Sequence, residues 1–452
     1  MLKAFQDYLS ELLRDNPANY RFLLAISGGK DSIVLGDLFF CAGIPFGIAH
    51  MNFQLRGEAS DGDERFVQAF AKRCEVPCFT TAINTKNYAA EQQLSTQMAA
   101  RKIRYIWLEQ IRQEEGFDFI VTAHHLNDSV ETILYNFTKG SGIKGMLGIP
   151  TVNGRVIRPL SFATRQEIDA YYNQEALVHR EDASNAESGY ARNWIRHEVV
   201  PKLQKLNPSF EQTVSRNLVY WQQINAWFEQ EAQQIKAQIW HSSPLRHTLQ
   251  LSSIQSHPAL LTLLFHWLQG FGFVAEQISG IHTSVLEQKQ GKLFLSKSHK
   301  ALIHQGNLII ESQSTLPGHP QLWTAGDSSL SLDGQKITIS TYTKGPISIP
   351  HQPDIAWMDA DELSFPLELR HWRAGDVFYP LGMSGKPKKI QDYFTDEKID
   401  RFAKERIWLL VNGDGRIIWV LGFRVDDRFK IRESTTQFAQ FQLTSLLDLS
   451  KE

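Results

Sequence analysis

The chain has 452 residues, enough for about three domains at roughly 150 residues each, with 47 Lys and Arg against 49 Asp and Glu and 42% apolar residues. That composition excludes a disordered chain, a collagen and a disulfide scaffold. No run of the roughly 18 apolar residues a membrane span needs is present.

The stretch Met1–Asp7 lacks the basic-then-apolar pattern of a signal peptide. The three cysteines Cys41, Cys74 and Cys78 leave one over however two pair. A reducing cytoplasm is the expected compartment. The apolar runs Phe22–Ile26, Phe46–Met51, Cys78–Ile83 and Phe117–Ala123 predict strands, with helical stretches such as 61–74 and 92–115 between them. Such alternation predicts an α/β domain over 1–210, a parallel sheet covered on both faces with its site at the carboxyl edge of the strands. From 211 to 311 the pattern turns mostly helical. It ends in a hairpin, 292–296 against 301–303, and a possible third strand at 307–311. Residues 312–359, rich in Ser, Thr, Gly and Pro, read as a linker with short strands such as 336–341. A small α+β block is expected over 360–440, with a helix over 390–406 and strands at 407–411 and 417–421.

The first strand runs straight into Ser27-Gly28-Gly29-Lys30-Asp31-Ser32 and then a helix. Glycines let a ligand approach the backbone, and a helix N-terminus offers free N–H groups to an anion. Asp31 would repel phosphate unless a cation bridges them, a role that suits Mg²⁺. The loop is neither a Walker A sequence nor a dinucleotide fingerprint. A plain strand-to-helix turn does not require all six residues. The hexapeptide resembles the signature of the PP-loop ATP pyrophosphatases, which adenylate a carbonyl oxygen and then let a nucleophile displace AMP.

Other groups fall at the predicted carboxyl edge. His50 and Asn52 open the segment 50–57 after the second strand, which taken alone reads as a polar surface loop. Arg101 and Arg104 lie three apart on a helix face and suit phosphate or nucleic acid, although a solvated face is the usual outcome for such a pair. His124 ends the fourth strand, and Asp128 and Glu131 share the first turns of the next helix, where carboxylates hold a metal, act as base or simply cap. The glycine-rich segment 140–150 reads as a loop able to close over substrate or as a plain connection. The stretch 181–197, with Arg192 and Arg196, is dense in cations and hydrogen-bonding groups.

In this order, these segments resemble the tRNA(Ile)-lysidine synthetase family over nearly the whole chain. The resemblance implies that ATP adenylates C2 of the wobble cytidine, through O2, in the tRNA(Ile) with a CAU anticodon. The ε-amine of free L-lysine then attacks C2 and releases AMP. With residue chemistry added, Ser27, Gly28, Gly29, Lys30, Asp31, Ser32, His50 and Asn52 are expected around ATP. Asp31 and Glu131 are expected on Mg²⁺, Asp128 as base or positioning group, and His124 and Arg104 on phosphate charge. The two carboxylates could exchange roles. The family usually has two adjacent aspartates where this chain has Asn127-Asp128, so the first carboxylate is missing here.

Residues 370–432 hold 14 Lys and Arg against 9 Asp and Glu, a surplus that suits an RNA backbone. Lys386, Lys388, Lys389, Arg424 and Arg428 are the candidate tRNA contacts, with Arg192 and Arg196. A tRNA thiolase using the same adenylation is the nearest alternative, and the absence of a C-x-x-C pair weighs against it. A non-catalytic tRNA-binding protein is the other, against which the intact loop argues. A homodimer is compatible with the sequence.

Overall fold

The computed structural model describes residues 1–55, 57–180, 190–313, 318–332, 334–346 and 352–445. Residue 56 of the segment 50–57 and residues 181–189 of the stretch 181–197 lie outside them. The chain divides into two compact units, Met1–Glu231 and Ala232–Glu452.

In the first unit β1 (Phe22–Ala25), β2 (Phe46–Asn52), β3 (Cys78–Ala82), β4 (Phe119–Val121), β5 (Val152–Asn153) and β6 (Val156–Ile157) form one sheet. The order is 3-2-1-4-6-5, parallel except for β5 against β6. The four predicted strands are present. The β5–β6 edge hairpin is too short to show a period in the sequence. Side chains of β1 alternate between two cores, as a strand covered on both faces requires. Phe22 and Leu24 join the cluster with Phe5, Leu35 and Phe39, whereas Leu23 packs with Ala49, Leu108 and Ile120.

The helices are α1 (Leu2–Leu13), α2 (Lys30–Cys41), α3 (Glu58–Arg73), α4 (Thr85–Glu91), α5 (Thr96–Glu114), α6 (Leu126–Lys139), α7 (Gly142–Gly145) and α8 (Arg165–Gln174). The Ser95 hydroxyl accepts from Met98 N–H and starts α5, later than the pattern suggested. Gly140, at φ 71°, ends α6. The glycine-rich segment is folded onto α6: it holds α7, and Ile149 N–H donates to Ser129 Oγ at 3.2 Å. Then come α9 (Tyr190–Trp194), a π-helical turn over Ile195–Val199, α10 (Val200–Leu206) and α11 (Phe210–Ile239). Ile195, Val200, Val214 and Leu218 pack on Leu126, Val130 and Ile133 of α6.

In the second unit β7 (Trp240–Ser242), β8 (His247–Gln250), β9 (Leu293–Leu295), β10 (His299–His304) and β11 (Asn307–Ser312) make an antiparallel sheet of order 7-8-11-10-9, with α12 (Leu260–Leu268) and α13 (Ala275–Leu286). The predicted hairpin and third strand are β9 to β11. The β7–β8 hairpin interrupts the mostly helical stretch expected before 290. Its strands are short and half-exposed, so neither shows an apolar run.

The remaining strands are β12 (Gln321–Trp323), β13 (Ser329–Leu332), β14 (Gln335–Tyr342), β15 (Ile355–Asp359), β16 (Leu367–His371), β17 (Val377–Phe378), β18 (Lys388–Lys389), β19 (Trp408–Val411), β20 (Ile417–Val420) and β21 (Phe438–Ser445). They form two antiparallel four-stranded sheets, 12-16-19-20 and 13-14-21-15, and a β17–β18 ribbon. The stretch 312–359 is therefore not a linker. It supplies four of these strands, and its Trp323, Leu332, Ile337 and Met358 are buried with Leu369, Trp419 and Phe441. The helix expected over 390–406 breaks into α14 (Ile390–Asp396) and α15 (Arg401–Arg406): Lys398 takes φ 56° and Asp400 caps the second piece.

Candidate active site

Strand order reverses at β1, with β2 on one side and β4 on the other. Loops leaving the carboxyl ends of two such strands diverge and open a crevice. The loop after β1 is Ser27–Gly29, and His124 and His125 follow β4.

The loop is tied by its own serines. Ser32 Oγ donates to Gly29 O at 2.8 Å and accepts from Ser27 N–H at 3.2 Å, and Ser27 Oγ accepts from Gly29 N–H at 3.3 Å. Gly28 sits at φ 93°, a backbone that favours glycine. Its carbonyl accepts from Arg180 N–H at 3.0 Å, while the Arg180 guanidinium reaches Asp63 of α3 at 2.6 Å.

Asp31, in the first turn of α2, faces α6 and α8. Arg165 Nη1 lies 3.1 Å from Asp31 Oδ1. His125 Nε2 lies 3.7 Å from Asp31 Oδ2 and 3.6 Å from Asp128 Oδ2, so one buried imidazole stands between the loop carboxylate and the α6 carboxylate. His125 Nδ1 is buried with no hydrogen-bond partner among the described residues. Asp128 Oδ2 also accepts from His125 N–H at 2.9 Å. Burial pushes the Asp128 carboxyl up, but His125, His124, that N–H and Arg196 outweigh it and hold it below the usual carboxylate range.

Glu131, expected as a metal carboxylate, spends both oxygens on Arg196, at 2.6 and 2.9 Å. Arg196, expected on tRNA, is thereby part of this cluster, and its Nη2 is also 3.5 Å from Asp128. Arg192 is exposed, 5.9 Å above the Tyr135 ring.

His124 Nδ1 shares a 2.9 Å hydrogen bond with the Thr122 hydroxyl. Burial drives its imidazole down to about 4. The charges of Arg158, Arg101 and Arg104 push the same way, against the pull of Asp128. His124 is therefore uncharged near neutrality, in a positive field that suits phosphate. Arg104 lies 5.1 Å above the Phe53 ring and Arg101 5.2 Å above Tyr105.

Three residues expected around ATP have other partners. Lys30 Nζ reaches Asp169 of α8 at 2.8 Å. His50 Nδ1 bonds Ile26 O at 2.9 Å, and burial pushes its imidazole down. Asn52 Nδ2 donates to Asp61 and Glu64. Lys30 thus ties α2 to α8, His50 holds the end of β1 and Asn52 ties the end of β2 to α3. The sequence reading missed His125, Arg165 and Arg180. The dense polarity after β4 was the only signal for His125, and nothing local marked the two arginines.

In the second unit Lys386 and Lys389 are exposed, and Arg424 is exposed with Nη1 on Leu381 O at 3.2 Å. Lys388 pairs with Asp396, and Arg428 with the buried Asp426 at 2.8 Å.

Residues 1–203 match the family model of the PP-loop domain, residues 245–313 that of the TilS substrate binding domain, and residues 367–440 that of the TilS substrate C-terminal domain. Over 418 residues the chain is 37% identical to the tRNA(Ile)-lysidine synthase of Parabacteroides distasonis, covering 91% of this chain and 93% of that one. The chain belongs to the tRNA(Ile)-lysidine synthase family. The Bacteroides thetaiotaomicron synthase is 36% identical over 94% of this chain and 95% of its own, and that of Porphyromonas gingivalis 33% over 91% of each.

In this family member Asn127 has two partners that account for its amide. Its Oδ1 accepts from Arg165 N–H at 2.8 Å, and its Nδ2 donates to the buried Glu211 at 3.2 Å. An aspartate there would meet the Glu211 carboxylate without a donor between them.

Proposed function

We propose that the chain joins free L-lysine to C2 of the wobble cytidine in the tRNA(Ile) with a CAU anticodon, by way of a tRNA adenylated with ATP. ATP-dependent lysidine formation on tRNA is the activity of the family. The observation that carries the residue-level reading is His125 standing 3.7 Å from Asp31 and 3.6 Å from Asp128. It brings the loop after β1 and the helix after β4 to one point.

On this reading the Ser27–Ser32 loop and the α2 N-terminus take the ATP phosphates through backbone N–H groups. Asp31 and Asp128 present oxygens on one side of the site. Mg²⁺ binds through one or two carboxylates together with substrate phosphates, and held there it would neutralise charge on the departing pyrophosphate. Asp31 is its proposed protein ligand. Glu131 acts through Arg196, holding that guanidinium beside Asp128.

Cytosine O2 leaves C2 poorly until it carries AMP. The attacking lysine amine, with an ordinary pKa near 10.4, must first lose a proton. Asp128 is held too acidic to be a strong base and is suited to orient the ammonium group. His124 starts neutral, and the negative charge of a bound nucleotide raises its affinity for a proton. It is the proposed acceptor, with Arg104 and Arg101 supplying the charge that steadies phosphate.

The exposed Lys386, Lys389, Arg424 and Arg192 are the proposed tRNA contacts. Arg196, Lys388 and Arg428 support the folded surfaces. The first 210 residues serve as catalytic domain and the rest as tRNA-binding domains. No described helix is long and apolar enough to cross a membrane, and a cytoplasmic setting, where tRNA and ATP meet, is part of this proposal. Light scattering on the purified chain decides whether it is a homodimer.

The thiolase reading is disfavoured by the cysteines: burial pushes all three thiols up, away from the reactive thiolate. The test is purified protein with ATP, Mg²⁺, radiolabelled lysine and unmodified tRNA(Ile), with tRNA(Met) as control. Label on tRNA(Ile) alone is expected. AMP release without label would overturn the lysine reading.

A further inference from the structure

In the second unit two modules matched by separate family models, 245–313 and 367–440, are locked together by buried charge. Glu311 of β11 has no exposed side-chain surface. It accepts from Arg406 of α15 at 2.6 and 2.9 Å and from Arg246 at 2.9 Å. Arg246 turns its other nitrogens to Asp400, at 2.9 and 3.1 Å. Phe402 is buried against Leu302 and Ile309 of the five-stranded sheet. An ion pair of this kind holds geometry, because either partner alone is a stranded charge.

Beside this lock lies a cleft of about 530 Å³, between β10 of the five-stranded sheet and α14–α15. Its lining includes Leu302, Ile399 and the half-buried ring of Trp372, and Gln391, Arg401, Lys404 and one carboxylate, Glu405, also border it. Trp372 is fixed by its indole N–H on Lys404 O at 2.9 Å and by an edge-to-face contact with Phe394. Arg401 is 61% exposed and lies 3.8 Å from Glu405, whose carboxylate Lys300 also reaches at 3.3 Å, so the cations of this rim outnumber its one acid. An aromatic ring beside cations is how proteins hold an unpaired nucleotide: the base stacks, and the charges take the phosphates. A duplex offers no free base face to such a cleft.

We propose that this cleft binds the unpaired 3′ end of the tRNA. Of the unpaired parts of a tRNA, the anticodon loop is committed to the catalytic site, and the other loops are packed on one another. The 3′ end alone reaches a cleft without an energetic cost of unpairing. The proposal rests on the family assignment for its partner and assigns that partner a new contact.

The test uses the full chain, with whole tRNA(Ile) and the same tRNA lacking its unpaired 3′ end. Removing the 3′ end weakens binding to the wild type about tenfold, base stacking and phosphate contacts together being of that size or larger. Arg401→Gln with Lys404→Gln weakens binding of whole tRNA by a similar factor and flattens its salt dependence. Truncation then costs the double variant little further. Gln391→Ala, at an exposed position outside the packing of Trp372, repeats the pattern more weakly. Trp372→Phe keeps binding where Trp372→Leu loses it. Losses that simply multiply, or a truncated tRNA that binds as well as the whole, overturn the cleft assignment. Lysine incorporation by the wild type, run in parallel, separates the outcomes. If it succeeds while truncation and variant show no coupling, the cleft alone fails. If wild type neither binds nor modifies tRNA, both readings fail.

Discussion

Arg196 grips Glu131 through two nitrogens, at 2.6 and 2.9 Å, and sets a third contact 3.5 Å from Asp128. Glu131 is only 4% exposed, so it depends on this partner. Removing one member of a buried pair costs about 3–5 kcal/mol. Arg196→Ala should therefore lower the unfolding midpoint and cut lysine incorporation by about a hundredfold or more. Arg196→Lys restores charge but not the two-pronged geometry, and should recover stability better than activity. A Lys variant with full activity would reduce the pair to a charge effect.

Asn127 faces Glu211 with its amide and Arg165 with its carbonyl. Asn127→Asp removes the donor between two acidic groups, which should destabilise the first unit by about 1–3 kcal/mol, the size of a lost partner at a buried polar atom. Glu211→Gln in the same chain supplies a new donor and should return most of that loss. Chemical denaturation of the two single variants and the double one measures the coupling. Independent losses would mean the pair is not what selects Asn here.

These two relationships also mark what the sequence could show. The strands β1 and β2 are legible because both are buried on both faces and read as apolar runs, whereas β3 is a half-exposed edge strand with a weaker pattern. The loop after β1 is legible because Gly28 and the two serines do their work within six residues. Arg196 reads as an RNA contact because its spacing shows only a cation. Its partner lies 65 residues away, and that of Lys30 lies 139 away. The linker reading of 312–359 fails for the same reason. Its strand at 336–341 is present as Gln335–Tyr342, but the alternation of Ile with Thr and Ser does not show that it becomes a core strand, which it does only beside β21, a partner far along the chain.

His124 links acid stability to the site. Its folded imidazole takes a proton only at about 4, whereas an unfolded one takes it near 6.5. Between those values the unfolded chain binds more protons, so stability falls as pH drops from about 6.5 to about 4 and the loss from this group levels off below. The whole window is worth at most about 3 kcal/mol. His50 pulls in the same direction. His124→Gln should give a flatter acid limb than wild type in denaturant midpoints taken from pH 7 to 4.5. An unchanged slope would place the acid sensitivity elsewhere.

Glu311 tests the lock of the second unit apart from catalysis. Arg406→Met strands the fully buried Glu311 with Arg246 as its one remaining cation, and Arg246 is already shared with Asp400. A loss of about 3–5 kcal/mol is expected. Glu311→Leu added to it removes the stranded charge and leaves Arg246 with both oxygens of Asp400, so the double variant should be more stable than Arg406→Met alone. ATP binding, which belongs to the first unit, should be the same in all three proteins, as followed by calorimetry. A double variant less stable than Arg406→Met would show that Glu311 contributes through packing of its stem rather than through its charge.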